Sequence, residues 1–179
     1  MLNVIHQKNL NMARKERNNI DYFPHPVNHG KKMFYLRSKH KNDGYAVWFM
    51  LLEELGKAEY HYLDLSSNIQ MMYLSSSFMV DEIILRDIIN ILVEFDEFDK
   101  DLWRSNSILF NNKFIENIQD AYRKRNNECV TKNSLLRLLE SKGILLPPKV
   151  SPNKPKVILK VDGNTQRIGE DSIEKKRKV

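Results

Sequence analysis

The chain has 179 residues, 41% of them apolar and 29% charged, with a net charge of +6, enough for one domain of ordinary size with extra terminal segments. Cys129 is the sole cysteine, which excludes an internal disulfide and a cysteine-based metal site and suits a reducing compartment. The longest apolar stretch, residues 45–52, is too short for a signal peptide or a membrane span, so a cytoplasmic protein without a membrane partner is expected.

The charge is unevenly placed. Residues 1–43 carry nine Lys/Arg against three Asp/Glu, whereas residues 44–110 carry four against twelve. Residues 111–141 are mildly basic, and residues 142–179 carry ten Lys/Arg against four Asp/Glu. Basic flanks around an acidic centre suggest an acidic partner for the flanks.

Met12-Ala13-Arg14-Lys15 reads like a second start, and residues 1–21 are taken as a flexible N-terminal extension. The two prolines of Tyr22-Phe23-Pro24-His25-Pro26 hold that segment extended. A helix with a basic polar face is expected over 30–40, followed by one over 44–57. Apolar residues cover nearly the whole circumference of the second, which therefore reads as buried. Residues 60–65 alternate with period two, as in a short strand. Ser67-Asn68-Ile69-Gln70 has the form of a capping box, and the helix it starts has Ile69, Met72, Tyr73 and Ser76 on one face.

After a break near residues 78–80, a helix over 81–95 is expected to bury the stripe Ile84, Ile88, Leu92 and Phe95. Residues 98–110 read as two short apolar pieces around Arg104-Ser105-Asn106. A β-wing is preferred there over a short turn of helix followed by a strand. Helices are expected over 113–126 and 131–142, ended by Gly143. Pro147, Pro148, Pro152 and Pro155 then mark a Pro/Lys-rich linker, with a lone strand conceivable at 157–161 and a basic tail ending Lys175-Lys176-Arg177-Lys178. The expected fold class is mainly α: a winged helix-turn-helix-like domain over 22–142 with a short β-wing and additional C-terminal helices, then a disordered basic tail over 143–179.

Three stretches carry a family likeness: Tyr22-Phe23-Pro24-His25, then Gly44-Tyr45-Ala46-Val47-Trp48-Phe49-Met50-Leu51-Leu52-Glu53, and finally Phe98-Asp99-Lys100-Asp101-Leu102-Trp103 with Ser107-Ile108-Leu109-Phe110. Over roughly residues 12–128 the chain resembles the N-terminal winged-helix-like domain of phage and prophage replisome organiser proteins. The resemblance implies origin-DNA recognition during replication initiation, with a helicase or helicase loader as further partners. Longer relatives carry a C-terminal region for that recruitment, whereas here only the linker and tail follow residue 142.

The helix over 81–95 occupies the place of a recognition helix, yet Asp81, Glu82, Asp87 and Glu94 outnumber Arg86 on its polar face and repel a polyanion. Arg86 and Asn90, four apart, match a guanine and an adenine edge. The more ordinary reading, Arg86 paired with Glu82 and Asn90 solvated, outweighs it. Phosphate contacts are better sought in Lys31, Lys32, Arg37, Lys39 and Lys41, in Arg104, and in the triplet Arg123-Lys124-Arg125. For the triplet, favourable placement at a helix C-terminus is an equally good account.

Trp48, Phe49, Met71, Met72 and Met79 read as core in the main, and Trp103 beside Arg104 is kept open as a stacking surface. His25 and His29 form the only close histidine pair, with Asp21 the only nearby carboxylate, and no nucleophile or phosphate loop is present. No enzyme, cofactor or metal is expected. Two readings follow: a DNA-binding accessory or initiation protein of phage or mobile-element replication, binding double-stranded DNA, or a protein-interaction adaptor that presents the acidic centre.

Overall fold

A computed structural model describes residues 16–144 and 146, apart from Lys124 and Asn126. The rest of the linker, the strand over 157–161 and the basic tail lie outside the described residues.

Helix α1, Gly30–Lys57, contains both helices expected from the pattern, separated by a sharp kink at Lys41 (φ 55°, ψ −133°). Beyond the kink, Val47, Trp48, Phe49, Leu51, Leu52 and Leu55 are buried, as an all-round apolar helix requires. Gly44 lies against the preceding half: a Cβ there would stand 2.7 Å from the Leu36 carbonyl oxygen. Only glycine permits that approach. A 3₁₀ turn, Glu59–His61, leads into β1, Tyr62–Asp64.

Helices α2, Asn68–Phe78, and α3, Glu82–Glu94, form the helix-turn-helix. The Ser67 hydroxyl accepts from the Ile69 N–H and the Asp81 carboxylate from the Ile83 N–H, so each helix begins on a capped donor. The reciprocal Gln70 half of the expected box is replaced by this single cap. Helix α2 buries Met71, Leu74 and Phe78; the face carrying Ile69, Met72 and Tyr73 is exposed, and so is Met79. Two apolar stripes compete on this helix, and the one carrying Met71, Leu74 and Phe78 joins the core. Helix α3 buries Leu85, Ile88, Ile89, Leu92 and Val93, a complete 3.6-residue stripe, while Ile84 and Phe95 sit at its partly buried margin.

Over residues 98–110 a helix forms in place of a hairpin wing. Asp99 caps α4, Lys100–Asn106, by accepting from the Leu102 N–H, and Ser107 (φ 55°) turns the chain into β2, Ile108–Phe110. Strand β2 pairs antiparallel with β1, Tyr62 opposite Phe110 and Asp64 opposite Ile108. The helix expected over 113–126 is broken at Ile118 into α5, Asn112–Asn117, and α6, Gln119–Tyr122, because the Ile118 side chain turns into the core (φ −99°, ψ 3°). Helix α7, Lys132–Ser141, starts on a Thr131/Ser134 capping box, and Gly143 (φ 78°) follows its end. The described residues thus form a mainly α fold with one two-stranded antiparallel sheet, compatible with a winged helix. None of its helices is long and apolar enough to cross a membrane.

The described end of the segment expected to be flexible, residues 16–21, is instead part of the domain. Ile20 is buried, its N–H donates to the Gly56 carbonyl, and the Arg125 guanidinium donates to the carbonyls of Arg17 and Asn19. A chain with so many backbone groups engaged cannot stay loose.

One buried polar pair ties α1 to α6. The His61 ring is fully buried, with Nδ1 2.9 Å from the Leu55 carbonyl and Nε2 2.6 Å from the Tyr122 hydroxyl. A carbonyl only accepts, so Nδ1 carries the proton and Nε2 accepts from Tyr122. Burial pushes the Tyr122 hydroxyl up to about 12, which keeps it a donor. Burial also holds the His61 imidazole below its usual 6.5.

Two outcomes follow from this architecture. Gly44→Ala should destabilise the domain by about 1–3 kcal/mol through overpacking against Leu36; an unchanged urea midpoint would mean the two halves of α1 do not meet at this glycine. For His61, the unfolded chain takes up the proton first as pH falls, so the stabilisation present above pH 6.5 is lost below it. Denaturant titrations between about pH 7 and 5 should show that loss, and His61→Gln should show a flatter dependence.

Candidate nucleic-acid interface

The polar face of α3 is built by three elements. Asp87 accepts 2.7 Å contacts at one carboxylate oxygen from both Lys39 Nζ and His40 Nε2, which arrive from the first half of α1. The Lys39 ammonium, and with it His40, holds the Asp87 carboxyl below the usual carboxylate range, and Asp87 in turn raises Lys39. From α4, Arg104 lies 2.7 Å and Lys100 3.9 Å from the Glu94 carboxylate, and Lys100 also reaches Asp96 at 2.9 Å. Two of the four acids that made this helix unsuitable for a polyanion are thereby matched by cations from elsewhere in the chain.

What remains on the face is Glu82, Ile83, Arg86 and Asn90, with Asp81 capping the start of the helix. The exposed Arg86 makes no ion pair among the described residues, so it is not held by Glu82. Asn90 is fixed by the indole of Trp103, whose Nε1 donates 2.9 Å to Oδ1. That bond takes one of the two lone pairs of the amide oxygen and leaves its NH₂ donors and the second lone pair outward. Trp103 is therefore an orienting residue for Asn90, half-buried against the core, rather than an open stacking surface.

The other basic residues are distributed differently. Lys31 and Arg37 are exposed on α1 and make no ion pair among the described residues. Lys41 donates to the Ser38 carbonyl. Lys32 is largely buried over the Trp48 ring, 4.0 Å from its centroid, and shares the Glu97 carboxylate with Lys113. Burial lowers its pKa, and its ammonium is held away from solvent. Arg123 pairs with Asp120 within α6, Arg125 is engaged with residues 17 and 19 and with the Tyr122 ring, and Lys124 lies outside the described residues. The structure thus gathers Lys39, Arg86, Asn90 and Arg104 around α3 and assigns Lys32 and Arg125 to packing.

The His25 and His29 rings stand 5.9 Å apart and pack on Phe49 and Tyr45, His25 stacking on Phe49 at 3.8 Å. Among the described residues no group of three or more His, Cys, Asp or Glu is arranged to hold a metal.

The role of His40 is the feature that sequence reasoning missed. It lies 47 residues from Asp87, and no local spacing signals the pair.

A family model described as Lin1244/Lin1753-like, N-terminal, matches residues 22–114, just over half of the chain. The match starts at the extended Tyr22-Phe23 segment and ends on Phe114, and the rings of Phe23 and Phe114 meet edge to face at 5.5 Å. No curated protein and no solved structure matches the chain.

Proposed function

Since the chain belongs to the Lin1244/Lin1753-like, N-terminal family, we propose that its helix-turn-helix binds double-stranded DNA through α3. One observation carries this reading. Two of the four acids of α3 that oppose binding, Asp87 and Glu94, are paired with Lys39, His40 and Arg104, while Arg86 and an indole-oriented Asn90 face outward. An arginine one helical turn from an asparagine suits adjacent guanine and adenine edges in a major groove. Lys31 and Arg37 on α1 supply phosphate contact without having to break an ion pair. The resemblance to replisome organisers adds the setting: an accessory or initiation protein of phage or mobile-element replication, cytoplasmic, non-enzymatic and free of cofactors, working beside a helicase or helicase loader.

The adaptor reading, with the acidic centre as docking surface, loses part of its support on α3, where two of the four carboxylates are paired with cations. The two readings part at Arg86. In duplex titrations at fixed salt, Arg86→Ala and Asn90→Ala should each weaken binding about tenfold, the value of one good base contact. Asp87→Asn, which releases Lys39 and removes a negative charge, should strengthen it. Affinity that is indifferent to Arg86→Ala would remove α3 from the interface. Circular dichroism of the same variants should match wild type, since all three positions are at the surface.

A further inference from the structure

A second surface uses none of the residues assigned to DNA. Strand β1 has β2 on one side only. The Leu65 N–H donates to Ser107 on the β2 side, and the Phe110 carbonyl, opposite Tyr62, turns away from β1 to accept from the Asp99 N–H. In an antiparallel pair the bonded and non-bonded positions alternate. Leu63 and Leu65 therefore bond toward β2, while the backbone N–H and C=O groups of Tyr62 and Asp64 point to the other edge. Outside the bonds within the elements themselves, no backbone partner for them is found among the described residues.

A cavity of about 260 Å³ opens along that edge. Four consecutive residues, 62–65, from both faces of the strand, line it, which places it beside the strand's edge rather than over one face. Its walls are the end of α1 with Glu54, the 3₁₀ turn with Glu59 and the face of α2 carrying Tyr73. Asp64 adds a third carboxylate; two cations face the three, Lys57 paired with Glu54 at 2.8 Å and Lys142 held on the Tyr62 hydroxyl at 2.7 Å. Glu59 makes no ion pair among the described residues. Beyond Tyr73 the exposed surface of α2 continues with Ile69 and Met72.

We propose that this edge binds an extended, lysine- or arginine-rich segment of a partner protein, which adds as a third strand beside β1. Main-chain hydrogen bonds to Tyr62 and Asp64 would hold the segment, the acidic rim would select its charge, and the tyrosine-lined wall would take alternate side chains. The orphan strand edge demands an extended occupant, and the excess of carboxylates demands a basic one.

The probe is the peptide acetyl-Lys-Val-Lys-Thr-Lys-Val-amide, titrated into the isotope-labelled full chain. The Tyr62 and Asp64 amides should shift saturably, and Glu59→Lys should weaken binding about threefold. A peptide N-methylated at alternate residues keeps its charge but loses three backbone donors, and should bind about tenfold more weakly. Equal binding of the N-methylated peptide would reduce the effect to surface charge and overturn the proposal. So would absence of saturable binding, or a concentration-dependent shift of the same amides without peptide, which would assign the edge to a second copy of the chain. Arg86 plays no part here, so failure of this test leaves the reading of α3 untouched, and the converse holds.

Discussion

The approach of Gly44 to the Leu36 carbonyl, 2.7 Å from where a Cβ would stand, sets the rest of the structure. It lets one continuous stretch of chain act as two helices, reversed at Lys41, with the apolar half in the core and the basic half folded beside it. Met33 and Leu36 anchor the basic half to the core, and its last turn then presents Lys39 and His40 to Asp87 on α3. A wider bend would leave Asp87 unpaired and the helix-turn-helix with its acid face bare. The packing of one glycine thus determines the electrostatics of a surface on another helix.

Ion pairs such as Lys39–Asp87 and Arg104–Glu94 are exposed and add little to stability, on the order of 0–1 kcal/mol. Their consequence lies in the field they leave. Pairing removes two of the four acids from the α3 face and leaves Arg86 outward; among the described residues, Lys31, Arg37 and Arg86 are cations without an ion pair, and Glu59 beside β1 is a carboxylate without one. A chain with basic flanks and an acidic centre therefore does not fold into basic and acidic halves. Its flanks reach across and cover part of the centre.

Much of the fold was legible in the residues. The all-round apolar run over 44–57, the cap at Ser67 and Gly143 each act locally, and the helices expected from 81 and 131 start one residue later, at Glu82 and Lys132. Three features were not. In α2 both Ile69/Met72/Tyr73 and Met71/Leu74/Phe78 are apolar at helical spacing, and only the position of the core chooses between them. In 98–110 the Asp99 cap favours a helix, whereas the flanking apolar pieces suggest two strands. The pairs that make the α3 face, His40 with Asp87 and Trp103 with Asn90, join residues that no periodicity connects. Arg125 shows the same blindness in reverse: one member of a triplet that reads as phosphate contact or helix C-terminus, it holds the backbone of residues 17 and 19.

The central claim is that binding at α3 is a contact with phosphate and base, and its most direct measure is the salt dependence of duplex affinity for the wild-type chain. Lys31 and Arg37, assigned to phosphate and making no ion pair among the described residues, give an expected slope of log K against log salt of about −2, from roughly 0.9 per phosphate neutralised. A slope near zero, or duplex binding too weak to measure at low salt, would contradict the account.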